Sequence, residues 1–267
     1  MANFTIFGSK GFIGSNLVPS LESAGHVVFR PLRDEQIESN KNLGHVIYCC
    51  GITNGDFRKR SSEIVDAHVN NANRVLAGAH FESFLYLSSA RIYDEMTSTF
   101  EEQNIPVTLD TASGFYNASK LLGESLVLNH EGPNCRVARL SYVIDVKEDI
   151  FFSPILKQMN GRKVSIPWHE KTLKDFVVLD DVLQLVPMIA QNGEKSLYNV
   201  ASGVNHSMSE VGQLLTSVLD VEVVFSQTEP MRNPSRIDIE RITTEFGFKP
   251  VDAMDYAKKM ISSSVTQ

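Results

Sequence analysis

The run Gly8-Ser9-Lys10-Gly11-Phe12-Ile13-Gly14 follows a short apolar segment, Asn3 to Phe7, and opens an amphipathic stretch from about Phe12 to Ala24. Glycines at this spacing, after a strand and at the start of a helix, let the backbone approach a pyrophosphate. The helix N-terminus then faces the charge. The strand, turn and helix each sit where the motif needs them, so all seven residues of the turn are assigned to a dinucleotide. The opening also commits the chain to a sheet whose strands are joined by helices.

The rest of the first half keeps that alternation. Gly25 closes the first helix, and His26 to Phe29 reads as a second strand. Gly44 to Gly51 is an almost unbroken apolar run bounded by glycines, as expected of a strand covered on both faces. A helix is expected from Ser62 to Ala79, a strand from Phe84 to Leu87 ending at Ser88-Ser89, a helix from Gly114 to Asn129, and a strand from Arg136 to Leu140. Strands alternating with helices predict an α/β fold with a doubly wound parallel sheet. The polar stretch from Asp94 to Ser113 reads as a loop or lid. Beyond it, a helix over Ile150 to Asn160, a strand entering a helix over Asp175 to Val182, a helix over Ser209 to Val218 and a helical stretch over Asp238 to Glu245 suit a smaller lobe. The expected division is 1–145 with 171–203 as the dinucleotide-binding domain, and 146–170 with 204–267 as a substrate-binding lobe.

Composition excludes several classes. A net charge of −7 argues against a phosphate-backbone binder, hence against nucleic acid. No apolar run approaches the roughly 20 residues of a membrane span, and the chain opens straight into a strand with no basic leader. Cys49, Cys50 and Cys135 form neither a disulfide framework nor a metal-spaced set, so they read as buried thiols and no metal is expected. Together these features point to a cytoplasmic protein.

The chemistry centres on Tyr116 and Lys120 in Phe115-Tyr116-Asn117-Ala118-Ser119-Lys120. Four residues apart on a helix, the two side chains share a face. An ammonium beside a phenol favours the phenolate, so Tyr116 becomes able to exchange a proton near neutral pH. Cofactor choice is read at the end of the second strand, where an NAD enzyme usually carries an acid about 20 residues past the glycines. Here Arg30 and Arg33 flank that place, and arginine pairs well with a 2′-phosphate. This favours NADP, although Asp34 leaves NAD open. Cys50 and Gly51, ending the third strand, are also assigned to the cofactor.

With these residues in order, the chain resembles the extended short-chain dehydrogenase/reductase family of nucleotide-sugar epimerases, dehydratases and ketoreductases. The likeness rests on the glycine turn, Leu87-Ser88-Ser89-Ala90-Arg91-Ile92-Tyr93, the Tyr116–Lys120 segment, Lys174 to Val182, and Tyr198-Asn199-Val200-Ala201-Ser202-Gly203. It implies Tyr116 as general acid/base and Lys120 as the group that holds the nicotinamide ribose. It implies Ser89, with Ser88 as alternative, as the hydroxyl that binds the reacting sugar oxygen. Arg232 and Arg236 precede a helix where the family places phosphate contacts. Ala90-Arg91 stands where family dehydratases carry Asp-Glu, which argues against elimination of water. His68 stands where a helix asparagine is usual, and the chain is shorter than most relatives by about a loop and a helix. The resemblance also implies a homodimer built on a four-helix bundle. The expected activity is reduction of a 4-keto nucleotide sugar. The alternatives are an NAD-retaining 4-epimerase, an enzyme of the same family acting on a non-sugar ketone, and a non-catalytic NADP-binding sensor, which would be expected to lose the Tyr–Lys pair.

Overall fold

The computed structural model describes residues 1–267 except 34, 36, 38–40, 54–56, 58, 95, 97, 108–111, 133, 146–148, 150 and 266–267. The chain runs β1 (Asn3–Phe7), α1 (Phe12–Ser23), β2 (Val27–Phe29), β3 (His45–Tyr48), α2 (Ser61–Val65), a π-turn (Asp66–Asn70), α3 (Asn71–Gly78) and β4 (Ser83–Ser89). After a 3₁₀ turn (Ala90–Tyr93) come α4 (Ala112–Leu128), β5 (Cys135–Leu140), β6 (Tyr142–Ile144), α5 (Phe152–Lys157), β7 (Lys163–Ile166), β8 (Leu173–Val178) and α6 (Leu179–Asn192). The remainder is β9 (Leu197–Val200), β10 (Asn205–Ser207), α7 (Met208–Leu219), β11 (Glu222–Phe225), α8 (Glu240–Phe246) and α9 (Ala253–Val265).

These elements form two compact units. The first comprises Met1–Ser89, Asn104–Arg139 and Leu183–Tyr198. Its sheet has the order β2-β1-β3-β4-β5-β9. β1 pairs in parallel with both β2 and β3, and β3 with β4. The chain therefore steps outward to β2, then back across β1 to β3. That reversal makes a topological switch point between β1 and β3, where open α/β sheets take their ligands. The central strands are dry: Val46, Ile47 and Tyr48 of β3, and Phe84, Leu85 and Tyr86 of β4, are all 0% exposed, which accounts for their near-continuous apolar sequences. Tyr48 stacks on Phe84 and Tyr86, and its hydroxyl donates to the Ala67 carbonyl at 2.7 Å. Between Phe29 and His45 the described residues hold no helix or strand, only a bridge from Asn42 to His80.

The second unit comprises Ala90–Gln103, Leu140–Val182 and Asn199–Gln267. β8 pairs antiparallel with β10 and parallel with β6, and β7 pairs parallel with β11. Phe151, Phe152, Phe176, Val178, Met208, Leu215, Ala257 and Ile261 belong to one buried cluster. The expected lid is tied down within this unit at Thr99. Asn199 accepts from Tyr93 Oη at 2.9 Å and donates to the carbonyls of Thr99 and Asp238 at 2.8 and 3.0 Å.

Several elements depart from expectation. The helix expected from Ser62 to Ala79 is continuous over 61–78 but π-helical at Asp66–Asn70. The helix expected over 150–160 is the shorter α5, its start capped by Asp149, whose carboxylate accepts from Phe151 and Ser153 N–H; Ile150 lies outside the described residues. Tyr142 to Ile144 form β6, and β10 and α9 were not anticipated. Among the described residues no helix is long and apolar enough to cross a membrane, and no group of three or more His, Cys, Asp or Glu residues is placed to hold a metal.

Candidate active site

The glycine turn closes against the end of β3. Gly8 has φ +79°, and a Cβ there would stand 2.9 Å from the backbone of Cys49 and Cys50. A Cβ on Gly14 would stand 2.3 Å from the Gly8 carbonyl oxygen, so α1 can begin this close to the turn only with glycine. The N-cap, Gly11, makes no side-chain capping bond, and the first turn of α1 carries no acid. Those leading N–H groups and the helix dipole suit an anion. The cradle fits a dinucleotide pyrophosphate, with Ser9, Lys10, Phe12 and Ile13 around it. Arg30 and Arg33 are exposed just past β2, and Lys41 lies 3.1 Å over the Phe29 ring beside them. Asp34 lies outside the described residues.

Tyr116 and Lys120 sit on α4 and are buried, at 2% and 3% exposure. α4 seats deeply because Gly123 has no side chain: a Cβ there would stand 2.5 Å from both the His68 carbonyl oxygen and Tyr86 Oη. Lys120 Nζ donates to the Leu87 carbonyl at 3.0 Å. A Cβ on Gly51 would lie 3.3 Å from that same Nζ. Gly51 thus brings the end of β3, and through Cys49 and Cys50 the glycine turn, against the lysine. Burial pushes the Lys120 pKa down to about 8, opposed by the Glu124 carboxylate. Burial also raises the Cys49 and Cys50 thiols, which keeps them protonated. Tyr116 stacks on Phe57, with centroids 5.0 Å apart, and meets the edge of His68 at 5.5 Å.

The two serines ending β4 separate. Ser88 Oγ donates to Glu124 Oε1 at 2.5 Å inside a buried network, where Arg139 grips both Glu124 oxygens at 2.7–3.2 Å. In this structure the Ser88 proton is therefore directed at that carboxylate. Ser89 projects from the other face of β4. Sequence reading missed the Glu124–Arg139 pair. The signal was present: Glu124 lies one helical turn beyond Lys120, and two arginines interrupt the apolar strand β5.

Arg232 and Arg236 belong to the second unit. Arg232 Nη1 lies 3.5 Å from Asp94 Oδ2, and Arg236 Nε donates to the Gly203 carbonyl at 3.0 Å. Arg236 also lines an open cleft with Ser98, Phe100, Ser235 and Thr243.

A sequence model described as the NAD dependent epimerase/dehydratase family matches residues 35–201, more than half of the chain. No curated protein matches. Among solved structures, the chain is similar to TunA, described as an NAD dependent NDP-hexosamine 5,6-dehydratase involved in tunicamycin biosynthesis (17% identity over 100% of this chain and 98% of that one, TM-score 0.81). It is similar to a UDP-glucuronic acid 4-epimerase from Bacillus cereus in complex with UDP-glucuronic acid and NAD (16%, covering 98% and 99%, TM-score 0.79). It is also similar to RMD from Pseudomonas aeruginosa complexed with NADPH (21%, covering 98% and 97%, TM-score 0.77). At these identities the likeness is one of fold.

Proposed function

The chain belongs to the NAD dependent epimerase/dehydratase family, and from that premise we propose that it reduces the 4-keto group of a nucleotide-linked sugar with NADPH. The observation that carries this reading is Lys120, buried beside Tyr116 on α4 and pressed against Gly51 where β3 meets the glycine turn. Bound dihydronicotinamide would supply the hydride to the carbonyl carbon. Ser89 orients the carbonyl oxygen, and the Tyr116 hydroxyl gives it a proton, so that ketone, hydride and proton become a secondary alcohol. Lys120 holds the nicotinamide ribose and, while charged, eases release of the tyrosine proton. Tyr116 then regains its proton from water. Phe57 and His68, packed on the phenol ring, keep solvent from its faces.

Two features favour a reductase. The residues after Ser89 are Ala90 and Arg91, which offer no acid or base for eliminating water. Arg30 and Arg33, just past β2, are assigned to the adenosine end, where arginine suits a 2′-phosphate. Arg232 and Arg236 are assigned to the diphosphate of the substrate. Mass spectrometry of cofactor carried by the purified protein, then titration with NADPH and NADH, tests the cofactor arm. Arg33→Ala with Arg30→Ala is expected to weaken NADPH about tenfold to a hundredfold more than NADH, because a charge-assisted bond contributes about 1.5–3 kcal/mol. Equal affinities in the unaltered protein would contradict this and favour an NAD-retaining 4-epimerase.

The active form is proposed to be a homodimer through α2, α3 and α4. Ile64, Val75, Leu76 and Val127 are covered within the chain, but Leu122 and Leu128 of α4 remain 52% and 38% exposed. Light scattering is expected to give twice the 29.7 kDa of one chain. The mass of a single chain at micromolar concentration would remove the dimer.

A further inference from the structure

His68 is 0% exposed and lies in the π-turn within the helix over 61–78. Such turns recur at functional sites. Each ring nitrogen meets one partner. Nε2 is 3.2 Å from the Ile52 N–H, and Nδ1 is 2.9 Å from Ser119 Oγ. The hydroxyl of Ser119 has one proton, and it goes to the Tyr116 carbonyl at 2.7 Å. Ser119 Oγ therefore accepts from His68, which places the imidazole proton on Nδ1 and the lone pair on Nε2. That tautomer is the one the Ile52 N–H requires. The bonds run unbroken from Ile52 through His68 and Ser119 to the backbone of Tyr116. The His68 carbonyl is fixed separately by Tyr86 Oη at 3.0 Å.

We propose that His68 is a positioning residue, a neutral strut that holds the end of β3 at a set distance from the Tyr116–Lys120 face of α4. The inference rests on the proposed function, because it takes Gly51 to be cofactor-bearing and α4 to be catalytic. Any buried histidine needs a partner for each ring nitrogen, so what singles out His68 is where its two partners lie, one just past β3 and one on α4. The two bonds join the elements whose spacing decides where a nicotinamide stands relative to the phenol. Neutrality is essential, since a second proton on Nε2 would confront the Ile52 N–H. Burial and the Lys120 ammonium together push the imidazole pKa down to about 2, so it stays neutral at any working pH.

Two conservative variants separate a strut from filler. In His68→Gln the side-chain oxygen reaches the Nε2 position and still accepts from Ile52. In His68→Asn the shorter amide supplies the donor to Ser119 but leaves the buried Ile52 N–H without an acceptor. NADPH titration is expected to find His68→Gln within about threefold of the unaltered protein and His68→Asn weakened about tenfold or more. The unpaired N–H should also make His68→Asn melt below His68→Gln. Equal NADPH affinity in the two variants would overturn the strut. Nitrogen-15 NMR of the histidine-labelled, ligand-free protein provides a second arm, independent of any cofactor. It should show a proton on Nδ1, a bare Nε2, and no titration across neutral pH. A proton on Nε2 would overturn the strut even if the cofactor reading stands. Failure of the unaltered protein to bind NADPH or NADH would overturn the site reading on which the strut rests.

Discussion

Replacing Tyr116 with phenylalanine is expected to lower turnover about 10²–10⁴-fold, the usual contribution of a positioned proton donor, while NADPH affinity changes by less than about threefold. The variant removes one hydroxyl. The ring keeps its stack on Phe57, its edge contact with His68, and its place among Ile52, Ile64 and Ala67. Packing is therefore preserved and only the proton is lost. Lys120→Ala should behave differently, weakening both turnover and cofactor binding, because the ammonium is proposed to serve the ribose as well as the phenol. Steady-state kinetics with a parallel NADPH titration separate these patterns. More than about a tenth of normal turnover in Tyr116→Phe would contradict the acid/base assignment.

Glu124→Gln is expected to have the largest effect on stability and a diagnostic effect on pH dependence. Glu124 and Arg139 are 2% and 4% exposed, and their closest contact is 2.7 Å. Breaking one side of a buried pair leaves an uncompensated charge and costs about 3–5 kcal/mol. For a chain of this size that lowers the melting temperature by about 10 °C. The second consequence follows from Lys120. Its pKa of about 8 is held up by Glu124 against desolvation. Reduction needs the charged lysine, so kcat/KM should fall as pH rises through about 8 in the unaltered protein. Without the Glu124 charge the lysine loses its proton sooner, and the fall should begin at lower pH. A pH profile that keeps its alkaline limb in place would show that Lys120 does not govern it.

The parts of the site legible in the sequence are those fixed by local chemistry. The glycine turn is readable because a backbone pressed against Cys49 and Cys50 leaves no room for a Cβ. The pair on α4 is readable because helical spacing alone puts Tyr116 and Lys120 on one face. What escaped depends on partners distant in the chain. Alternation along β4 places Ser88 and Ser89 on opposite faces, but only the buried Glu124 decides where the Ser88 proton is directed. His68 stood out in the sequence as an unusual residue, yet its role needs Ile52 and Ser119, which the π-turn brings to it. Asn199 read as the end of a strand. Its side chain in fact joins Tyr93, Thr99 and Asp238, a junction with no signature at any one of those positions. The start of α5 likewise depends on Asp149, which accepts from Phe151 and Ser153 N–H, and apolar periodicity does not register it.

The most direct test of the central claim follows the hydride. The purified protein is incubated with NADPH carrying deuterium at the transferable position and with a panel of 4-keto nucleotide sugars, and the products are weighed by mass spectrometry. The account predicts one deuterium on the sugar for each NADPH oxidised, and no transfer by Tyr116→Phe. A sugar inverted at C4 without net consumption of NADPH, or transfer that persists undiminished in Tyr116→Phe, would contradict it.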